Sequence, residues 1–113
     1  KQFIMVCPEQ LGGLSTPRVP SEIISNDLGI RKVISKEGID VTENFIKGAD
    51  ETLKISRMYN CTEAILKEGS PSCGSKQIYD GSFSGVKIDG MGITADILKK
   101  EGLKILSEKD FEG

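Results

Sequence analysis

EAILKEGSPSCGSKQIYDG, residues 63 to 81, decides how the rest of the chain is read. Ala64-Ile65-Leu66 is a short apolar run of the kind a buried strand needs. Glu68-Gly69-Ser70-Pro71 ends it, because neither Gly nor Pro extends a paired strand cheaply. Pro71 fixes its own φ and pushes Ser70 toward extended geometry, and Gly74 permits a turn where a Cβ would clash. The sequence therefore predicts a strand over Glu63–Lys67 that opens into a stiff loop. That loop offers the thiol of Cys73 among the hydroxyls of Ser70, Ser72 and Ser75, with backbone N–H groups beside them. A loop of this kind at a strand end suits an anion or a soft metal.

Working outward, the whole chain of 113 residues suits one domain. Fifteen basic residues nearly cancel 17 acidic ones, which argues against nucleic acid or an anionic membrane as partner. No apolar run is long enough to span a bilayer, and no signal peptide is visible. Histidine is absent, so acid–base work falls to Asp, Glu, Lys, Tyr or Cys. Three cysteines is an odd number at spacings unlike a disulfide framework, which favours reduced thiols and a cytoplasmic setting.

Upstream, Phe3-Ile4-Met5-Val6 lacks alternation, as expected of a strand covered on both faces. Cys7-Pro8-Glu9 stops it, and a loop rich in Gly and Pro follows as far as Pro20. Ser21-Glu22-Ile23-Ile24 reads as one helical turn capped by Ser21. Lys32–Ser35 and Ile39–Thr42 flank Lys36-Glu37-Gly38 as a hairpin. Thr42 then caps a helix running to Met58, with Glu43 in its first turn and Phe45, Ala49 and Leu53 as its core stripe, flanked by Ile46. Asn60 suits its C-terminal cap. Downstream, Asp80-Gly81 marks a turn. A second helix is expected over Thr94–Glu101, with Gly102 just past its end and a last strand over Leu103–Ser107. Helix then strand, twice over, indicates an α/β fold: an open, mostly parallel, Rossmann-like three-layer sheet with flanking helices.

In such a sheet the strand C-termini share one pole, where ligands bind. Cys7 and Cys73 each follow a strand and so converge, whereas Cys61 precedes its strand. A strand of about five residues spans ~17 Å, so Cys61 lies too far off to share a metal with them and reads as a small hydrophobe. On spacing alone, Cys7 and Cys73 fit incidental cysteines as well as a soft-ligand site. Two cysteines do not complete an ordinary iron–sulfur cluster. Gly90-x-Gly92 ahead of a helix is a weaker phosphate candidate, since it lacks the strand and third Gly of a dinucleotide fingerprint.

Several motifs together then carry a resemblance. Val6-Cys7-Pro8-Glu9, Gly12-Gly13-Leu14, Thr16-Pro17-Arg18 and Asp40-Val41-Thr42 come first. Lys67-Glu68-x-Ser70-Pro71-Ser72-Cys73-Gly74, Tyr79-Asp80-Gly81-x-Phe83-Ser84-Gly85 and Gly92-Ile93-Thr94-Ala95 follow in unbroken order. The chain resembles the bacterial family catalogued as domain of unknown function 523, which includes the thiouracil desulfidases. The resemblance implies a four-iron cluster held by three cysteines, with one iron open to take sulfur from a thiolated uracil or similar small thioamide. It makes Cys7 and Cys73 two of the metal ligands. Glu9, on a rigid turn two residues from Cys7, becomes the candidate proton donor, with Ser72 beside it as a catalytic group. Ser70, Ser75, Arg18 and Lys67 become candidate substrate-binding residues. The family also carries an N-terminal strand with a Ser-Ala-Cys-Leu-like motif ahead of the Val-Cys-Pro-Glu strand, and this sequence lacks it. The expectation is therefore a family domain short of its first βα unit and first cysteine, with little activity alone. A non-catalytic α/β module binding a small anion or metal at the same pole is the competing reading.

Overall fold

A computed structural model describes residues 4–15, 18–67 and 70–107. Phe3, Thr16-Pro17 and Glu68-Gly69, which the motifs above include, lie outside the described residues. In chain order the elements are α1 (Pro8–Leu11), β1 (Ser21–Ser25), β2 (Arg31–Ser35), α2 (Thr42–Met58) and β3 (Glu63–Leu66), then β4 (Gln77–Tyr79), β5 (Lys87–Asp89), α3 (Ile93–Lys100) and β6 (Lys104–Ser107). The fold is mixed α/β. Its parallel component is β3 beside β6, in register from Glu63 opposite Lys104 to Leu66 opposite Ser107. β1–β2 and β4–β5 are antiparallel pairs.

α2 is the organising helix, and it forms over the residues its periodicity demands. Phe45, Ala49 and Leu53 are buried along one stripe, while Ile46 is 40% exposed and lies off it. The helix ends in a Schellman arrangement. Asn60 takes φ 55°, its N–H donates to the Arg57 carbonyl, and the Cys61 N–H donates to the Ser56 carbonyl. Asn tolerates that left-handed geometry better than most residues, so the expected cap is the observed one. α2 packs against α1, α3 and β2. Phe45 joins Ile23, Val33, Val41 and Ile78 in the main core, with Leu14 and Ile93 against it.

The α1–α2 crossing is unusually close. A Cβ on Gly48 would stand 1.9 Å from the Pro8 carbonyl oxygen, and one on Gly12 would stand 1.9 Å from that of Asn44. Only two glycines permit this approach, and it is what fixes α1, and with it Cys7, against the long helix.

Three local expectations change. Ser21–Ser25 is a strand and not a helical turn, because Ser21 through Ser25 pair in register with Ser35 through Arg31. The hairpin expected across residues 36–38 is only a tight turn with a single bridge, Ile34 to Asp40. The apolar run at Ile4–Val6, expected as a strand, lies in no strand ladder, and Ile4, Met5 and Val6 are all exposed. The physical reason is the neighbour it would need. Among the described residues β3 pairs with β6 alone. A groove of about 2030 Å³ is lined by Ile4 and Val6 together with Ala64, Ile65 and Leu66 of β3, and by Thr52, Ile55 and Ser56 of α2.

Candidate metal and substrate site

The loop carrying Cys73 is built onto the start of α3. Gly74 O accepts the Gly92 N–H, Pro71 O that of Ile93, and Ser72 O those of Thr94 and Ala95, all at 2.8–3.1 Å. Donors that a helix start would otherwise leave unsatisfied are thus met by loop carbonyls. There is no room for anything else: a Cβ on Gly92 would lie 2.4 Å from the Ser72 carbonyl carbon. The phosphate reading of Gly90-x-Gly92 fails for the same reason, since those N–H groups are already engaged by Gly74, Pro71 and Ser72 and by Lys76 O at Gly90.

Within the loop, Ser70 Oγ accepts the backbone N–H groups of Ser72 at 3.0 Å and Cys73 at 3.2 Å. Serine in a turn commonly closes on its own backbone in this way. Ser72, expected among the catalytic groups, is 1% exposed. Its hydroxyl is shared with that of buried Thr94 at 2.7 Å and lies 3.7 Å from the Cys73 sulfur. That burial makes it a residue that positions Cys73, out of reach of a substrate while the loop keeps this packing. Ser75 is half-buried past Gly74 and does not line the groove, whereas exposed Lys67 does.

The Cys7 side is built differently. Cys7 sits at the N-cap of α1 in extended geometry, with Pro8 opening the helix. Arg18 folds back across it. The guanidinium donates to Glu9 Oε2 at 2.6 Å and to Cys7 Sγ at 3.6 Å. Burial works to lower the Arg18 pKa, but the hydrogen bonds and charges of Glu9 and Cys7 outweigh it and raise it above the ordinary arginine value. Arg18 is therefore a fixed cation at this position. Across the gap, the Ser70 hydroxyl donates to Glu9 Oε1 at 3.4 Å. Glu9 thus touches both halves of the site.

These contacts form one continuous chain from Cys7 through Arg18, Glu9 and Ser70 to the Cys73 backbone. Residues 7, 9, 18, 70 and 73, brought from two distant stretches, meet at the mouth of the groove. Cys61 is half-buried at the N-terminal end of β3 and lines the same groove, outside the contact chain that joins Cys7 to Cys73. No disulfide links the three cysteines, which are thiols.

Sequence reasoning passed over three residues that build the site. Gly48 permits the α1 crossing, and its signal was a glycine inside an otherwise good helix. Thr94 partners Ser72, and nothing local distinguishes it. Glu22, buried on β1, accepts the N–H groups of Gly81 at 2.9 Å and Phe83 at 3.2 Å, residues about sixty positions away.

Residues 1–110 match the family model described as 2-thiouracil desulfurase. The chain is 49% identical over 116 residues to the uncharacterized protein YbbK of Bacillus subtilis strain 168, an alignment covering 98% of this chain and 77% of that relative. A solved structure described as the 4Fe-4S-dependent thiouracil desulfidase TudS matches with a TM-score of 0.83 at 42% identity, over 92% of this chain. The chain spans 66% of that structure's length.

Proposed function

This chain belongs to the 2-thiouracil desulfurase family, and on that premise we propose that it forms the larger part of an iron–sulfur-dependent desulfidase. Its substrate is a thiolated pyrimidine or similar small thioamide. The net change replaces C=S by C=O, with water as the oxygen source and sulfur leaving at the sulfide level, so no oxidant or reductant enters. A cytoplasmic enzyme, with its thiols kept reduced, fits this chemistry.

The observation that carries the reading is the contact chain from Cys7 to Cys73. Two soft donors stand on two loops that are tied together, with a carboxylate between them, which suits iron. The fit is partial. Among the described residues no group of three His, Cys, Asp or Glu side chains could hold a metal ion. Cys7 and Cys73 would therefore be two ligands, and the third would come from a segment beyond those described. The groove offers it a place. At about 2030 Å³ it exceeds the ~300–1,000 Å³ usual for a small ligand, and its walls are the exposed apolar run at Ile4–Val6 and the open edge of β3. An upstream strand carrying a cysteine would complete both sheet and ligand set, making residues 1–113 the bulk of one α/β domain.

When bound, a four-iron cluster supplies an open iron to receive the sulfur. This chain's own residues do the rest. Glu9, held by Arg18 and Ser70, moves a proton at the reacting carbon's substituents. Arg18 and Lys67 offset negative charge along the groove, and Ser70 fixes the loop that presents Cys73. Ser72 acts through the Cys73 thiol.

The test is anaerobic reconstitution of the 113-residue chain and of a version extended by an upstream strand with its cysteine. Iron and sulfide per chain are measured beside turnover of a thiolated uracil. The short chain should hold iron poorly and turn over little, and the extension should restore both. A stoichiometric cluster with full turnover in the short chain would refute the ligand count. A full cluster in the extended chain with no desulfidation would favour the binding-module reading.

A further inference from the structure

The hairpin turn between β4 and β5 is held in a shape that its own residues resist. Phe83 has φ 56°, in the left-handed region. An aromatic residue with a Cβ adopts that geometry only where its surroundings force it, and such positions concentrate at functional sites. The forcing group is Glu22. Its side chain belongs to a residue only 7% exposed, and one carboxylate oxygen takes both the Gly81 and the Phe83 N–H groups. A buried carboxylate is costly unless hydrogen-bonded, so the turn satisfies Glu22 as much as Glu22 shapes the turn. At the other side of the loop the Asp80 carboxylate takes the Ser82 N–H at 2.9 Å, and the Asp80 N–H donates to the Val86 carbonyl at 3.0 Å. The ring so held is only half-buried, and Phe83 lines the same groove as Cys7, Glu9, Arg18, Ser70 and Cys73.

Simple core filling does not call for this arrangement. A phenyl ring can be packed from ordinary backbone geometry, and this residue is only half-buried where it lines the groove. We propose that Phe83 is the specificity-determining wall of the substrate site, giving its ring face to a flat heterocyclic thioamide, and that Glu22 is the residue that positions it. The inference rests on the desulfidase reading for the identity of the substrate and deepens it. It makes the site selective for planar conjugated thioamides over bent or aliphatic ones. Stacking of a base on an aromatic side chain is sequence-tolerant because every base presents a π-face, so the wall selects flatness and leaves the pattern of ring substituents to the polar groups.

The experiment uses the protein extended by its upstream strand and cysteine, with the cluster reconstituted anaerobically, and two readouts. The first is the kinetic split for a thiolated uracil. Phe83→Leu, which keeps apolar bulk but removes the π-face, should raise KM about tenfold with kcat within about twofold and iron content unchanged. Phe83→Tyr should rescue KM. Glu22→Ala should mimic Phe83→Leu, and Glu22→Gln, which retains an acceptor oxygen, should fall between it and the parent. The second readout is ring-current shift: uracil, which has no sulfur to lose, should show upfield-shifted ring protons with the parent protein and with Phe83→Tyr, but not with Phe83→Leu. An unchanged KM in Phe83→Leu, or a uracil shift that survives it, overturns the inference. If Phe83→Leu fails to fold, failure of Phe83→Tyr to restore KM and shift overturns it equally. An iron-loaded parent that turns over no thiolated uracil defeats the desulfidase reading instead, and the uracil shift then decides the role of Phe83 by itself.

Discussion

The two halves of the site are built to different standards. Cys73 stands on a loop whose carbonyls close the first turn of α3, with Ser72 and Thr94 sharing a buried hydroxyl contact underneath. Cys7 stands after an exposed run in which Met5 is 95% exposed, at the N-cap of a helix of four residues. What holds the Cys7 side is the close glycine crossing, the Asn44 amide donating to the Gly12 carbonyl at 2.9 Å, and Arg18. The difference teaches that half of this site is formed by its own loop, while the other half hangs on a few contacts made by a four-residue helix.

The largest effect should come from the crossing. Gly48→Ala puts a methyl group into the Pro8 carbonyl, and backbone on both sides leaves it nowhere to go. Overpacking of this kind typically costs ~1–3 kcal/mol, and this case belongs at the upper end, about 3 kcal/mol by urea denaturation. The same variant should lose its reconstituted iron, since Cys7 moves with α1. Retained stability and iron would show that α1 is not what places Cys7.

The Cys73 half can be loosened from inside. Thr94→Val is nearly isosteric at a residue with no exposed surface, and it leaves the Ser72 hydroxyl without that partner. A buried hydroxyl so stranded costs about 1–3 kcal/mol. The double variant Ser72→Ala/Thr94→Val should recover most of the loss, and a double-mutant cycle with no coupling would break the comparison on this side. Amide hydrogen exchange sharpens it further: Gly92, Ile93 and Thr94 should be protected to near the global stability, and residues 4–6 hardly at all. Equal protection would erase the contrast.

Cys61 supplies a smaller effect and a control at the far end of β3. Cys61→Ala removes a half-buried sulfur and should cost about 1 kcal/mol or less. Iron content and turnover in the extended protein should not change. Loss of iron with an intact circular dichroism spectrum would bring Cys61 into the site and overturn the pole argument.

The smallest effect is in acid. Asp40 and Asp80 each have a pKa below the usual aspartate value, because the hydroxyl and then the N–H of Thr42 or Ser82 bind the ionised form. A lowered folded pKa adds stability that is present above the unfolded value of about 3.9 and is lost as pH falls through the folded one. Both groups are fully exposed, so the change in stability should be slight. Carboxyl NMR titration should give midpoints below about 3.9 for both, and a midpoint above that for Asp80 would mean that the Phe83 turn is not held as described.

The parts legible in the sequence are those set by local periodicity and caps. α2 could be bounded from its stripe and from Asn60, because those signals act within a turn or two. Thr42, expected as its cap, is instead its first residue after an N-cap at Val41, and its hydroxyl accepts from the Val33 N–H and donates to Asp40. Strand polarity was the ground for expecting Cys7 and Cys73 together, but no strand ladder precedes Cys7, and what joins the two is the contact chain through Arg18, Glu9 and Ser70. What stayed hidden is decided across long separations. Ser21–Ser25 is a strand only because Arg31–Ser35 lies alongside, and its two adjacent isoleucines gave no clean alternation. Glu22 sits in a stretch that reads locally as a helical turn, and its partners at 81 and 83 leave no local trace. The apolar Ile4–Val6 has the composition of a strand, but composition cannot supply the neighbour it would pair with. Ser72 and Cys73 are adjacent in sequence, yet one is committed to the interior and the other faces the groove, a division that only the docking onto α3 reveals.

That docking also sets a timetable. The loop around Cys73 takes its shape from backbone N–H groups of residues 92–95, so it has no fixed form while those residues are still unmade. At a translation rate of ~5–20 residues/s, the ribosome needs on the order of 1–4 s to go from Cys73 to Ala95. β3 waits longer, because its parallel partner begins at Lys104. During that interval the thiols at 7, 61 and 73 are chemically alike and none is yet sorted to a pole. A soft metal met at that stage would find no paired thiols, so any site that joins Cys7 to Cys73 comes into being only after residues 92–95 are made.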